Sequence, residues 1–585
     1  MDYSGIGSIV TLSAFGVLNK GSLGSDLLVS VEEIVGSNIL GDVIDLGGAT
    51  TPAATSTEVN LGLGRVTING SSLPLPLSFT VSLFENVRGS NLVDLITGNA
   101  ANNSLSGASG NDTIDGGAGN DTINGGSGID TASYASASAG VSVSLAFQGV
   151  AQNTLNAGSD LLISIENLYG SSFADTLSGN IFSNLISGGA GNDTINGSSG
   201  NDTIDGGSGT DIANYSSLGG LVTLGAFGLL NKGGLGIDNL IGIETIVGSR
   251  LLGDTVDHSA AISSGGVIVS GTNTNLTTGV VTVNGTGAPL PLTFNVQQFE
   301  NVIGSNFNDT IIGNTANNSL TGGAGNDTIL GDNIVSIPNP IFSFNNKFYT
   351  LGTAAPWTQA QAQAVSLGGN LVTVNDAAEN QFLVNTFGGA ERLWIGLTDE
   401  VTEGVFRWAN GEAITYTNWA SGEPNNLGNE DYAEFNFGGP GRWNDLPVAL
   451  LPLRGIIEIN NSADTLVGGL GSDTLTGGLG NDVFKYTTAT ESAAGVTSRD
   501  TITDFQLGAD KLDLGAIDAN SLFALDQAFS FLGNSATFTS AGQLRYQVTG
   551  GNLFLLGNID ANFATSEFEL QLLGLANITA SDIIL

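Results

Sequence analysis

The chain of 585 residues contains no cysteine and a single histidine, His258. The first absence rules out disulfides, thiolate metal sites and a cysteine nucleophile. The second rules out histidine-based catalytic triads and the paired-histidine zinc motif of metalloproteases. Most hydrolase chemistries fall with them, carboxylate-only glycosidases excepted. Positive charge is scarce too: 14 Lys+Arg stand against 55 Asp+Glu, for a net charge of −41. Nucleic acid and anionic membrane need a basic surface and are excluded as partners, whereas cations are favoured. No apolar run reaches the ~18 residues of a transmembrane helix. Met1-Asp2-Tyr3-Ser4-Gly5 also lacks the basic, then apolar, start of a cleaved signal peptide. An exported protein of this kind leaves by another route.

Glycine is what the chain has in excess, with 86 residues against 12 prolines. At 41% hydrophobic residues this is neither collagen nor ordinary disorder. Many backbone positions with φ > 0 are expected instead. Length alone gives a prior of about four domains, at ~150 residues each.

The glycine is periodic. Five unbroken nine-residue units start at Gly89, Gly98, Gly107, Gly116 and Gly125, the fourth reading GGAGNDTIN. Five more run from Gly170 to Asn214, three from Gly304 to Leu330 and three from Ile459 to Lys485. Aspartate fills the sixth place at Asp94, Asp112, Asp121, Asp130, Asp175, Asp193, Asp202, Asp211, Asp309, Asp327, Asp464, Asp473 and Asp482. Asparagine fills it in the second unit of three blocks, at Asn103, Asn184 and Asn318.

Each part of the unit has a physical reading. The glycines let the backbone turn sharply and expose carbonyls, the aspartate adds a hard oxygen ligand, and Thr-Ile or Thr-Leu makes a short strand with one inward side chain. Stacked turns bring aspartates of successive layers together, which is untenable without a cation between them. Calcium suits such a site because it takes six to eight oxygens, backbone carbonyls included, in a flexible geometry. The unit is identified as the calcium-binding β-helix repeat of RTX proteins. A flexible Gly/Asp linker is the competing reading, and phase-perfect repetition over four blocks argues against it.

A second repeat lies between the blocks. Residues 9–35 return at 221–247, VTLSAFGVLNKG against VTLGAFGLLNKG, and the echo continues at Leu75-Pro76-Leu77 against Leu290-Pro291-Leu292. A shorter copy spans 141–170. Alternation such as Val141-Ser142-Val143-Ser144-Leu145 predicts strands, and these spacers are expected to be further solenoid turns acting as scaffold.

After Gly331-Asp332-Asn333 the rhythm stops until about Ile459, and all five tryptophans fall in this window. Helices are predicted over 357–367 and 376–387, then a buried strand at Leu393-Trp394-Ile395-Gly396-Leu397. Trp357, Ala360, Ala364, Gly368-Gly369, Leu371, Trp394-Ile395-Gly396-Leu397, Glu423-Pro424-Asn425, Glu430-Asp431 and Trp443-Asn444-Asp445 follow in order. This ordered set resembles a C-type lectin-like domain over about 120 residues. The resemblance implies that Glu423, Asn425, Glu430, Asn444 and Asp445 hold one calcium, with Pro424 as the family's cis-proline. It also implies that this calcium ligates two vicinal sugar hydroxyls, and that Glu-Pro-Asn selects mannose- or glucose-type ligands. Asn426 and Asp431 are candidates for a second calcium site. The family's paired-cysteine positions hold Ala364 and Ile457, and Tyr432 and Val448, so apolar packing is expected in place of the bridges.

From Asp482 to Leu514, and again at Ala541–Tyr546, Gly557–Asp560 and Phe568–Gly574, the chain resembles the C-terminal domain of serralysin-type secreted metalloproteases. The catalytic domain is absent, so the resemblance carries over only the export part. The ending Asp582-Ile583-Ile584-Leu585 resembles the family's uncleaved type I secretion signal, which makes the secretion apparatus a partner during export.

The expected fold is mainly β: calcium-bound parallel β-roll or β-solenoid blocks with one inserted α+β C-type lectin-like domain. Its divisions are spacer 1–88, block 89–133, spacer 134–169, block 170–214, spacer 215–303, block 304–333, lectin-like domain 338–459, block 460–485 and C-terminal cap 486–585. The function read from this is a secreted, extracellular calcium-binding protein displaying a domain for cell-surface or matrix glycans, without enzymatic activity. The alternative is a purely structural surface-layer or matrix protein whose lectin fold binds no sugar. Sites of the weak extracellular type fill at ~10⁻⁴–10⁻³ M calcium, so folding is expected to follow export. Circular dichroism in excess chelator should therefore lack sheet signal that millimolar calcium restores; identical spectra in both would defeat this.

Overall fold

The computed structural model describes all residues except 14–16, 29–30, 32, 48–53, 71–75, 262–267, 288–290, 332–339, 346, 368, 429, 448–451, 460–462, 523–526 and 535–536. The end of the third block at Asp332-Asn333, the echo at Leu75 and Leu290, Gly368 and Val448 therefore lie outside the described residues. The chain divides into two compact units. One holds Met1–Ala260 with 280–282 and 292–299, and the other holds the rest.

In the first unit the nonapeptides form short strands, three residues long in the block from Gly170 and up to seven in the block from Gly89, alternate units going to alternate sheets. Leu95 pairs in parallel with Thr113 and Thr113 with Thr131 in one sheet, while Ser104 pairs with Thr122 in the other. The pairing step is 18 residues, two units per coil. A three-residue strand sends only its central side chain inward. Ile96, Ile114, Ile195 and Ile204, each at the eighth place of its unit, are fully buried, so one aliphatic residue per unit builds the core between the sheets.

The spacers differ from plain solenoid turns. Thr11–Ser13 pairs in parallel with Val43–Asp45, as a further coil would. Its other edge turns back antiparallel, Thr11 to Asn19 and Val17 to Leu27. The copy at 221–247 repeats this with Thr223 opposite Asn231 and Leu229 opposite Asn239. Period-2 alternation marks strands but not their direction, and the Gly-rich turns between them are tight enough for hairpins. A wider antiparallel ribbon, Ala54–Asn60, Arg65–Gly70 and Leu77–Ser82, closes the N-terminal spacer.

In the second unit the roll runs straight across the inserted module. Ser319–Ala324 pairs in parallel with Thr465–Leu470, and Thr328–Leu330 with Thr474–Thr476. The module itself carries two helices, α1 (Trp357–Ser366) and α2 (Ala377–Phe387), where the periodicity predicts them. Its sheet includes Lys347–Leu351, Leu393–Thr398, Tyr432–Phe435, Trp443–Leu446 and Arg454–Ile459. Trp394, Trp408 and Trp443 are buried, and the indole N–H groups of Trp357 and Trp394 donate to the Ile395 and Ala355 carbonyls at 2.8 and 2.9 Å. At the positions where the family has a disulfide, Ala364 and Ile457 pack together with Ile459, joined by Leu479 of the roll. Tyr432 packs against Trp357 with ring centroids 4.8 Å apart and the rings tilted by 33°.

Beyond the module, Asp500–Ile502 and Lys511–Asp513 extend the two sheets of the roll. The antiparallel strands Gln543–Thr549, Asn552–Asn558 and Phe568–Leu572 follow. Ile583 pairs in parallel with Leu512, so the last residues form a strand of the roll.

Close layer contact makes some glycines irreplaceable. At Gly209, φ is +150° and an added Cβ would lie 1.5 Å from the Gly191 carbonyl oxygen of the layer beneath. Gly209→Ala should destabilise the calcium-loaded protein by more than about 2 kcal/mol, read as a fall in Tm. Gly219→Ala, where a Cβ meets nothing within 4 Å, should leave Tm within a degree or two.

Candidate functional site

The sixth-place aspartates stack into ladders. In each, the backbone N–H of one aspartate donates to Oδ1 of the aspartate one coil further on. In the first unit the ladders are Asp94–Asp112–Asp130 and Asp175–Asp193–Asp211, with Asn103–Asp121–Asp160 and Asn184–Asp202–Asp238 on the other sheet. In the second unit Asp309–Asp327–Asp473–Asp500 and Asn318–Asp464–Asp482–Asp510 continue across the insertion. All thirteen sequence-predicted aspartates are thus placed in line, each at most 3% exposed. The ladders also recruit Asp160, Asp238, Asp500 and Asp510, which the nonapeptide frame misses because they follow spacers of other lengths.

The second carboxylate oxygen tells whether a cation fits. Oδ2 of Asp112, Asp121, Asp130, Asp193, Asp211, Asp327 and Asp473 is buried with no hydrogen-bond partner among the described residues. A buried carboxylate oxygen without a donor is costly unless a cation meets it. Burial, reinforced by neighbouring aspartates, pushes the Asp112 and Asp327 carboxyls up to about 7 and Asp193 up to about 6. Backbone carbonyls crowd the same turns: an added Cβ at Gly107 would lie 2.1 Å from Asp112 Oδ2 and 2.7 Å from the Gly125 oxygen. Hard oxygens of both kinds suit calcium, which would supply the positive charge these layers lack.

The module gathers its own oxygen ligands on the loop after Trp419. The Glu423–Pro424 peptide is cis. The Asn425 amide donates to the Glu423 carboxylate, and the Asn425 and Asn426 N–H groups donate to Asp445 at 3.2 and 2.9 Å. Glu430 accepts from the Leu427 N–H at 3.0 Å. Asn444 lies on the adjoining strand and donates to Glu434 at 2.9 Å, whose carboxylate is clamped by Arg392. Burial pushes the Glu430 carboxyl up, and Asp445, Glu423 and Glu434 push the same way. Among the described residues no three acidic or histidine side chains close on one point. The five ligand candidates lie on one loop and one strand, two of them amides, and their carboxylates are turned toward N–H donors.

Two further residues escape the sequence reading. Asn426 donates to Glu403 at 2.7 Å, and buried Asp399 accepts from the Gly404 N–H at 2.9 Å. Partial desolvation and then the charges of Asp399 and Asp431 push the Glu403 carboxyl up, so these groups share one locality with Asn426. The available signal is position: both follow Trp394-Ile395-Gly396-Leu397 within six residues. His258 takes no part in either site; burial pushes its imidazole down to about 4.

Fold and sites together define an RTX calcium-binding repeat protein with an inserted C-type lectin domain and a serralysin-type C-terminal domain; the chain belongs to these families in that arrangement. Residues 97–132, 178–213 and 303–333 match the RTX calcium-binding nonapeptide repeat. Residues 353–448 match the Lectin C-type domain, and 453–585 the Peptidase M10 serralysin C terminal, a part of that family distinct from its protease domain. Both the repeats and the lectin domain bind calcium. Among curated proteins, ladderlectin of Oncorhynchus mykiss is 36% identical over 124 residues, 20% of this chain and 65% of that protein. The alpha-N-acetylgalactosamine-specific lectin of Patiria pectinifera is 36% identical over 124 residues, 18% of this chain and 71% of that lectin. The chain thus spans just under two thirds of ladderlectin. Among solved structures, the C-type lectin CEL-I of Cucumaria echinata is 33% identical, with 21% of this chain and 95% of that one covered and a TM-score of 0.20.

The raised aspartates set a pH dependence. Each binds its proton more tightly folded than unfolded, so calcium-free stability is present at low pH and is lost as pH rises from about 4 through about 7. In excess chelator, sheet signal in circular dichroism should therefore return as pH falls from 8 to 5. In saturating calcium the response should flatten or reverse, since protons then compete with the metal.

Proposed function

We propose that the protein is an exported, calcium-loaded β-roll whose lectin domain binds mannose- or glucose-type glycans through calcium, in adhesion or in an extracellular matrix, without enzymatic activity. The observation that carries the glycan reading is the grouping of Glu423, Asn425 and Glu430 on one loop against Asp445 of the adjoining strand, with the Asn425 amide donating to Glu423 and the Asn425 N–H to Asp445. With Asn444 next to Asp445 on that strand, they would offer one calcium a set of carboxylate and amide oxygens. The half-buried Glu423 and exposed Asn425 side chains would each pair a vicinal sugar hydroxyl, Asn as donor and Glu as acceptor. Asp399, Glu403, Asn426 and Asp431 would hold a second calcium behind that loop.

In this reading repeat aspartates hold calcium along the roll, and the divisions set out from the sequence are the functional domains. Export is supported by the match of 453–585 to the serralysin C terminus together with the repeats. In calcium-poor cytosol the unneutralised carboxylates would keep the chain extended for a type I channel, and external calcium would fold it.

The test of the sugar site is a specificity change. Glu423→Gln with Asn425→Asp exchanges the donor and acceptor pattern, and should lower retention on immobilised mannose at least about tenfold, roughly the 1.4 kcal/mol of one hydrogen bond. Binding to galactose-type sugars should rise. Unchanged mannose retention would sink the assignment, and a wild-type chain silent on a broad glycan array would favour the structural reading.

A further inference from the structure

The repeat aspartates are not equivalent, and the residue at the second place of each unit divides them. Where that place holds glycine the backbone is left-handed: φ is +86° at Gly117, +100° at Gly189 and +109° at Gly323. Ala108 adopts the same region at +77°. In these turns the second-place N–H does not reach the aspartate of its own unit, and Oδ2 stays without a donor among the described residues.

Four units carry serine there instead: Ser90, Ser171, Ser198 and Ser305. None has a positive φ. With the peptide turned the other way, Ser90, Ser171 and Ser305 donate N–H to Oδ2 of Asp94, Asp175 and Asp309 at 2.6, 2.5 and 2.5 Å. Their hydroxyls reach Oδ1 at 2.8–2.9 Å. Each of these carboxylates is thus capped on both oxygens by its own turn. The spacer turns at Ser37–Asp42 and Ser249–Asp254 have the same serine cap.

The fourth serine unit is neutralised by a fixed cation as well. Ser198 Oγ donates to Asp202 Oδ2 at 3.1 Å, and the buried Lys232 ammonium, supplied by the spacer, lies 3.4 Å from the same oxygen and also bonds Asp238 of the next layer. The asparagine units need no cation either. Asn103, Asn184 and Asn318 donate to the carbonyls of Glu85, Glu166 and Glu300 at 2.6–2.7 Å, and each accepts a backbone N–H of its own turn.

We propose that the second-place residue decides which repeat turns bind calcium: turns with glycine or Ala108 bind it, whereas the serine turns at Asp94, Asp175, Asp202 and Asp309 and the asparagine turns are metal-free layers closed by the chain's own donors. The first coil of each of the three blocks that start at Gly89, Gly170 and Gly304 is therefore built without calcium, and metal enters at the third unit, the Asp202 turn of the second block being passed over. This rests on calcium filling the aspartate turns, and the test separates the two claims.

Bound calcium is counted on the intact full-length protein by native mass spectrometry, for wild type and two triple variants. Asp94→Asn, Asp175→Asn and Asp309→Asn together should leave the count unchanged; asparagine already stands at this place in Asn103, with its Oδ1 accepting the same second-place N–H. Asp112→Asn, Asp193→Asn and Asp327→Asn together should remove at least three ions. Equal losses from both triples would overturn the serine rule while leaving calcium in the roll. No loss from either would overturn the calcium reading itself, and the rule with it. Crystals of wild type loaded with terbium give a check that needs no variant. Anomalous peaks are expected beside Asp112, Asp193 and Asp327 and absent beside Asp94, Asp175, Asp202 and Asp309. A peak at any of the latter four would overturn the proposal.

Discussion

The constraint on which this architecture depends is the burial of carboxylates in line, one per layer, at the pitch of a β-sheet. Parallel strands lie about 4.8 Å apart, so successive aspartates cannot avoid one another. Each one answers with the same geometry on one oxygen, a backbone N–H from the neighbouring coil. The other oxygen is free to be treated differently, by a serine, a lysine or a metal. Glycine, the short strands and the acidic composition follow from keeping that line intact. The turn must be tight enough to fold the carboxylate over its own first glycine, and a strand three residues long offers the core only one side chain.

The lectin domain solves a different problem with the same ligand chemistry. Its rigidity comes from a tryptophan-rich core, with Trp408, Trp419 and Tyr416 all set edge-on against Trp443. Apolar contacts at Ala364 and Ile457 occupy the place of a covalent bridge. The oxygen-bearing loop can then project from a frame that needs no oxidising environment to form.

Much of this was legible in the sequence, because a nonapeptide states its own strand, turn and inward residue within nine positions. Ile195 and Asp193 could be assigned to core and ladder without any distant partner. The ordered tryptophans and the Glu-Pro-Asn triplet were equally local. What stayed hidden depends on partners far along the chain. Lys232 reads as one more surface lysine until the fold brings it to Asp202, 30 residues away. Asp500 and Asp510 join ladders only after the spacing has broken from nine. The direction of the spacer strands is set by pairing, to which alternation is blind. Ser90 and Gly117 are both small and turn-compatible, and only the sign of φ separates them.

The uninterrupted register across the inserted module bears on the order of events in folding. Asn318 pairs with Asp464 over 146 residues, where layers of unbroken repeats close over 18. For a structureless insert that longer loop would cost about 2 kcal/mol more in closure entropy. A folded insert brings its two ends to neighbouring strands beforehand and removes that cost. The lectin domain, once formed, acts as a short rigid staple that helps the last coils of the roll to close. A module whose ends were far apart could not be exchanged into this position without splitting the solenoid in two.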